Sequence, residues 1–218
     1  MDEIIVRLAR ALASTPRLCI LSLLGTGEKT PTHLAETLGL PLCAVSLHLR
    51  VLILVGLISR RKSGPWCYYR AESPYDSTTV SGRLAAWLRT LLKNQPVTLS
   101  QYPGLLKVRD IATTPAAELF RTIFEASTAF TDLRRLQVLR HLGRHHTAGT
   151  QDLVELLSMS PQALNRHMHK LIRRGFVLAR HHGHTVVYEL NPAAKTPIHR
   201  RMFEIVRVTW EQAISRTL

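Results

Sequence analysis

The chain is 218 residues long and 45% apolar, with 29 Lys+Arg against 15 Asp+Glu for a net charge of +14. That apolar share excludes a disordered tail and allows one large domain or two small ones. The charge favours a polyanionic partner, and no apolar run approaches the ~18 residues of a spanning helix, so no membrane is expected.

In chain order, a first amphipathic helix carries Ile4, Ile5, Leu8, Ala11 and Leu12 on one stripe. A second covers about 14–25, and a third runs from Thr30-Pro31 to Leu38. A tight turn, Gly39-Leu40-Pro41, leads to a fourth helix over about 42–54, stopped by Gly56. LISRRKSGPWCYYR then gives an apolar strand, a basic glycine-containing turn and an aromatic strand, which is a β-hairpin. A closing helix carries Val80, Leu84, Trp87, Leu88 and Leu91 at helical spacing. Residues 94–113, with Pro96, Pro103 and Gly104, have no strong period and are expected to be a linker.

The order then repeats. Residues 45–69 and 164–188 coincide at a constant offset, with His48 on His167, Gly56 on Gly175, Gly64 on Gly183 and Tyr69 on Tyr188. Upstream, LCILSLLG at Leu18–Gly25 matches LQVLRHLG at Leu136–Gly143. The second copy's helices are expected from Thr114-Pro115 (Leu119, Phe120, Ile123, Phe124), over 132–143, near 150–157 and over 161–173. The hairpin FVLARHHGHTVVYEL follows, then a last helix with Ile198, Met202, Ile205, Thr209, Trp210 and Ala213. The expected fold class is mainly α with small β-hairpins, as tandem winged helix-turn-helix domains: 1–93, a linker at 94–113, and 114–218. Both halves are basic, +6 over 1–95 and +8 over 96–218, which argues against a neutral domain with a basic tail.

Three short helices and a hairpin suit duplex DNA. The major groove, about 12 Å wide, accepts one helix, and the hairpin brings cations to the flanking backbone. In the second copy Leu164, Met168, Leu171 and Ile172 are expected to face inward, leaving Gln162, Asn165, Arg166, His169 and Lys170 for DNA. Gln, Asn and Arg make bidentate contacts to base edges. The first copy's set is poorer: Leu42, Cys43, Ser46, Leu47 and Arg50, with Leu47 where the other copy has Arg166. Arg60, Arg61 and Lys62 in the first wing are fixed cations suited to phosphate. Arg180, His181, His182 and His184 in the second would make its contacts pH-dependent between about 5 and 8. His48 and His167, beside the packing face, are expected to donate to phosphate or backbone.

The segments ALASTPRLCILSLL and HLAETLGLPLCAVSLHLRVLILVGLISRRKSGPWCYYR resemble the ArsR/SmtB family of small bacterial winged-helix repressors, and the second copy resembles a more diverged member. The resemblance implies DNA binding and homodimers built on the first and last helices. With two copies on one chain, intramolecular pairing into a single-chain pseudo-dimer and an intermolecular homodimer are both open, the former being favoured. The family's metal sensors place cysteine pairs on the third helix, and Thr30–Leu38 has none. Neither a metal site nor another cofactor is therefore expected. His141, His145 and His146 cluster without a third fixed ligand. Cys43 and Cys67 could act as a thiol sensor if exposed and of lowered pKa. Three cysteines without a close pair, and Asp2-Glu3 in place of a signal sequence, suggest a cytoplasmic protein. No motif of an enzyme is present. The expected function is a sequence-specific transcriptional repressor. The alternatives are a protein-interaction scaffold and a non-specific nucleic-acid binder.

Overall fold

The computed structural model describes residues 1–93, 95, 115–183 and 185–215. The chain forms two compact units. One is Ala11–Phe124, and the other joins Met1–Arg10 to Glu125–Leu218. The expected division at 94–113 differs in one respect: the first ten residues stand with the second copy, and the described residues up to Phe124 with the first. All of the expected linker except Gln95 lies outside the described residues, as does the expected cap Thr114.

In the first-copy unit, α2 (Thr15–Gly25), α3 (Pro31–Leu38), α4 (Leu42–Leu54), the hairpin β1 (Ser59–Ser63) and β2 (Trp66–Arg70), and α5 (Val80–Leu92) follow in order. The Thr30 hydroxyl accepts from the His33 N–H at 3.2 Å, and Pro31 fills the first turn of α3, where its missing N–H costs nothing. Gly39 ends α3 in the left-handed region at φ 60°. The axes of α3 and α4 then differ by 116°, the angle of a helix-turn-helix. Leu18, Ile20 and Leu24 of α2 are buried with Leu34, Leu38, Val45, Leu49 and Leu52. The Ser22 hydroxyl donates to the Leu92 carbonyl at 3.1 Å, tying α2 to the end of α5.

The second-copy unit has elements in the same order: α7 (Leu133–His145), α8 (Thr150–Leu157), α9 (Pro161–Arg173), β4 (Val177–His182), β5 (Thr185–Leu190) and α10 (Pro197–Ser215). Asp132 caps α7 by accepting from the N–H groups of Arg134 and Arg135. Ser160 caps α9 from the Ala163 N–H, ahead of Pro161. The spans expected for the two fourth helices, 42–54 and 161–173, are those observed.

A third strand, β3 (Thr147–Gly149), pairs antiparallel with β5. In the first copy a single bridge, Lys29 to Tyr69, stands in its place. Ile172 is a correction. Expected inside, it is 38% exposed, because the buried stripe Leu164, Met168 and Leu171 places it at the edge of that face. Ile4 likewise lies 48% exposed, beside the buried Ile5 and Leu8.

The opening helix, α1 (Asp2–Leu12), contributes Met1–Arg10 to the second-copy unit. There the Asp2 carboxylate accepts from the Trp210 indole N–H at 2.9 Å and from the Arg140 guanidinium at 3.0 Å. The Arg140 guanidinium also lies 5.1 Å over the Trp210 ring. Arg10 donates to the Thr131 carbonyl at 3.1 Å. In the first-copy unit the reciprocal segment, 115–124 of α6 (Pro115–Ala129), buries Ala116, Ala117, Phe120 and Ile123.

Candidate nucleic-acid interface

In α9 the buried residues Leu164, Met168 and Leu171 recur at helical spacing. That period turns Gln162, Asn165, Arg166, His169 and Arg173 outward, and all five are exposed. Their amide, guanidinium and imidazole groups form a continuous hydrogen-bonding face about three turns long. Lys170, expected on this face, is half-buried at its flank. Burial lowers its pKa first, and Arg174, Arg173 and Arg135 lower it further. Arg173 is a functional candidate that the sequence reasoning missed, although it continues the exposed spacing from Arg166 and His169.

His167 is half-buried, with Nδ1 3.7 Å from the Asp132 carboxylate that caps α7. Burial lowers its pKa, Asp132 opposes that, and Arg135, Arg166 and Arg134 add to it. His48, its equivalent, is lowered by burial and then by Arg17. Both rings sit beside the packing face, as their register required.

In α4 the same register holds with other chemistry. Val45, Leu49 and Leu52 are buried, while Cys43, Ser46, Leu47, Arg50 and Leu54 are exposed. Leu42, Leu47 and Leu54 are 50%, 63% and 75% exposed.

Each wing turns on a glycine. Gly64 has φ 58° and Gly183 φ 61°, and with Pro65 next, the first is a two-residue loop opened by the residue type it demands. Ser63 pairs with Trp66, and His182 with Thr185. In the first wing Arg60 and Lys62 are exposed. Arg61 binds Glu28 at 2.7 Å and stacks 5.2 Å over Tyr68. In the second wing Arg180 binds Glu189 at 2.6 Å across the hairpin. Exposed pairs of this kind are weak, so a phosphate can compete for either guanidinium. The side chains of His182 and His184 lie outside the described residues; His181 is exposed on β4.

Cys43 is exposed, Cys67 is half-buried on β2, and Cys19 is buried, which pushes its thiol up to about 12. His141 and His145 stack at 4.4 Å. Among the described residues no group of three His, Cys, Asp or Glu side chains is placed to hold a metal ion. No single described helix is long and apolar enough to cross a membrane.

Residues 15–60, from α2 into β1, match the helix-turn-helix of the bacterial regulatory protein, arsR family. No curated protein matches the chain significantly. Among solved crystal structures, the AntR antimony-specific transcriptional repressor aligns with 51% of this chain and 95% of its own at 24% identity and a TM-score of 0.37, a loose likeness. Residues 15–60 are thus similar to an arsR-type helix-turn-helix, and they lie on a unit that adds a β-hairpin wing.

Proposed function

We propose that the protein is a sequence-specific, double-stranded-DNA-binding transcription regulator that acts as a repressor in the cytoplasm, with its two winged helices working as a single-chain pseudo-dimer. The observation that carries the reading is the exposed face of α9, where Gln162, Asn165, Arg166 and His169 stand together on a helix of the right length and mounting for a major groove. The arsR-type match over residues 15–60 supports it, and so does the +14 charge. Repression follows from occupancy, since a protein seated over a promoter excludes polymerase without a further activity.

The pseudo-dimer is supported by the make-up of the two units. Each copy's opening helix residues stand with the other copy, and Asp2 is held by Arg140 and Trp210. One chain then presents two recognition helices, and its operator is two adjoining, non-identical half-sites about one helical turn apart.

Fluorescence anisotropy tests the reading. The full-length protein is titrated into duplexes enriched from a randomised pool and into their scrambled versions. The enriched duplex should bind at least tenfold tighter, with affinity falling steeply as salt rises. Arg166→Ala should remove roughly 1–3 kcal/mol of that preference at one base position. Equal affinity for enriched and scrambled duplexes, with the wild type, would overturn specific regulation.

A further inference from the structure

We infer that the first-copy recognition helix α4 reads its half-site through thymine methyl groups, with Leu47 as the principal reader, whereas α9 reads by hydrogen bonds. The inference rests on the DNA-binding reading above and adds the base chemistry of one half-site.

The two helices share one exposure pattern. Cys43, Ser46, Leu47, Arg50 and Leu54 of α4 stand where α9 has Gln162, Asn165, Arg166, His169 and Arg173, and all ten are exposed. At those five positions α9 offers an amide twice, a guanidinium twice and an imidazole. The α4 set offers one hydroxyl, one guanidinium, one thiol and two leucines. Residues in the first turns of a recognition helix are those that meet base edges, which selects Cys43, Ser46 and Leu47. Leu47 is 63% exposed and can neither donate nor accept a hydrogen bond. On the floor of the major groove the thymine C5-methyl is the one apolar group that a base pair presents. An isobutyl side chain aimed there therefore has one favourable partner.

Charge points to DNA as the occupant. The exposed α4 face carries Arg50 and no carboxylate, and the wing beside it carries exposed Arg60 and Lys62. The wing's nearby acid, Glu28, is already bound to Arg61. An apolar strip on a helix that carries a cation and no carboxylate matches a thymine-rich groove between phosphate walls.

The test uses a duplex enriched by the full-length protein, with the thymines of each half-site replaced in turn by deoxyuridine. This removes the methyl and leaves every hydrogen-bonding group in place. A buried methyl is worth about 0.8 kcal/mol, so each contacted thymine should weaken binding about fourfold in one half-site, and uracil in the other half should be silent. Leu47→Ala, at an exposed position that leaves the fold intact, should bind more weakly and lose the uracil effect. Arg166→Ala should keep that effect. If uracil is tolerated in both halves, or Leu47→Ala remains equally sensitive to it, the inference falls while DNA binding stands, and the α4 face is left to a protein partner. If no duplex is enriched at all, the DNA-binding reading falls and takes the inference with it.

Discussion

At the scale of single residues, His199 shows how burial sets a charge state. It is 1% exposed, its Nδ1 lies 2.8 Å from the Thr196 hydroxyl, and its ring lies 5.4 Å from that of Phe176. Burial brings its pKa down to about 4; Lys195 and Arg174 push the same way, and Glu125 opposes them. The unfolded chain holds histidine near 6.5. Between pH 6.5 and 4 the unfolded state therefore binds the extra proton, and falling pH favours unfolding. The stabilisation is complete above pH 6.5 and is lost as pH falls through that window, by an amount on the order of 3 kcal/mol. His48, His141 and His167 are lowered too, so the His199 share is isolated by difference. Urea midpoints of wild type and His199→Gln, followed between pH 7 and 4.5, should converge as pH falls. Parallel curves would show that His199 does not carry this dependence. The apolar identity of Ile172 suggested burial, and only the exact stripe set by Leu164, Met168 and Leu171 puts it at the edge. Arg61 and Arg180 were legible as cations of the wings. Their acceptors were not: Glu189 meets Arg180 across a hairpin whose register sets the pairing, and Glu28 reaches Arg61 from the segment ahead of α3, where Lys29 bridges Tyr69.

At the scale of elements, what the sequence made legible was the punctuation. Thr30-Pro31, Ser160-Pro161, Gly56 and Gly175 mark helix ends by local chemistry, and those ends fall where expected. The strand β3 was not legible, since Thr147–Gly149 is too short to show a period of two and owes its pairing to β5. One glycine has a contact requirement that no local pattern announces. Thr79 caps α5 by accepting from the Gly82 N–H at 3.0 Å, and the chain ahead of the helix folds over Gly82 so closely that a Cβ would lie 1.8 Å from the Asp76 carbonyl oxygen. In α10 the residue three past the cap Thr196 is His199, so this constraint belongs to the first copy alone. Gly82→Ala should cost about 1–3 kcal/mol, as overpacking against backbone does. Gly143→Ala, in α7 with its nearest neighbour 3.9 Å away, should be neutral or stabilising by up to about 1 kcal/mol. Chemical denaturation of the two variants side by side checks this, and equal midpoints would show that the loop yields to the added methyl.

At the scale of the whole molecule, the common order of elements in the two halves was legible because glycines, a histidine and a tyrosine keep one register over long stretches. The assignment of the opening helices was not. The stripe Ile5, Leu8, Ala11 and Leu12 says that α1 must be covered, and composition does not say by which copy. In the structure Met1–Arg10 is part of the unit built on Glu125–Leu218, and Asp2 meets Arg140 and Trp210 there. The described residues 115–124 are part of the unit built on Ala11 onward. Each unit thus draws on chain from both sides of the 94–113 segment. A protease site inserted between residues 99 and 110 tests the consequence. After complete cleavage the two fragments should co-elute as one particle of about the mass of the 24.6 kDa chain, separating only in denaturant, because neither unit is complete on one fragment. Light scattering of the intact protein should give that same monomeric mass, and one-to-one stoichiometry on a single enriched duplex. Fragments that part under native conditions would mean that each copy folds on its own helices. A chain of twice the mass would mean that copies pair between molecules and that four recognition helices are presented.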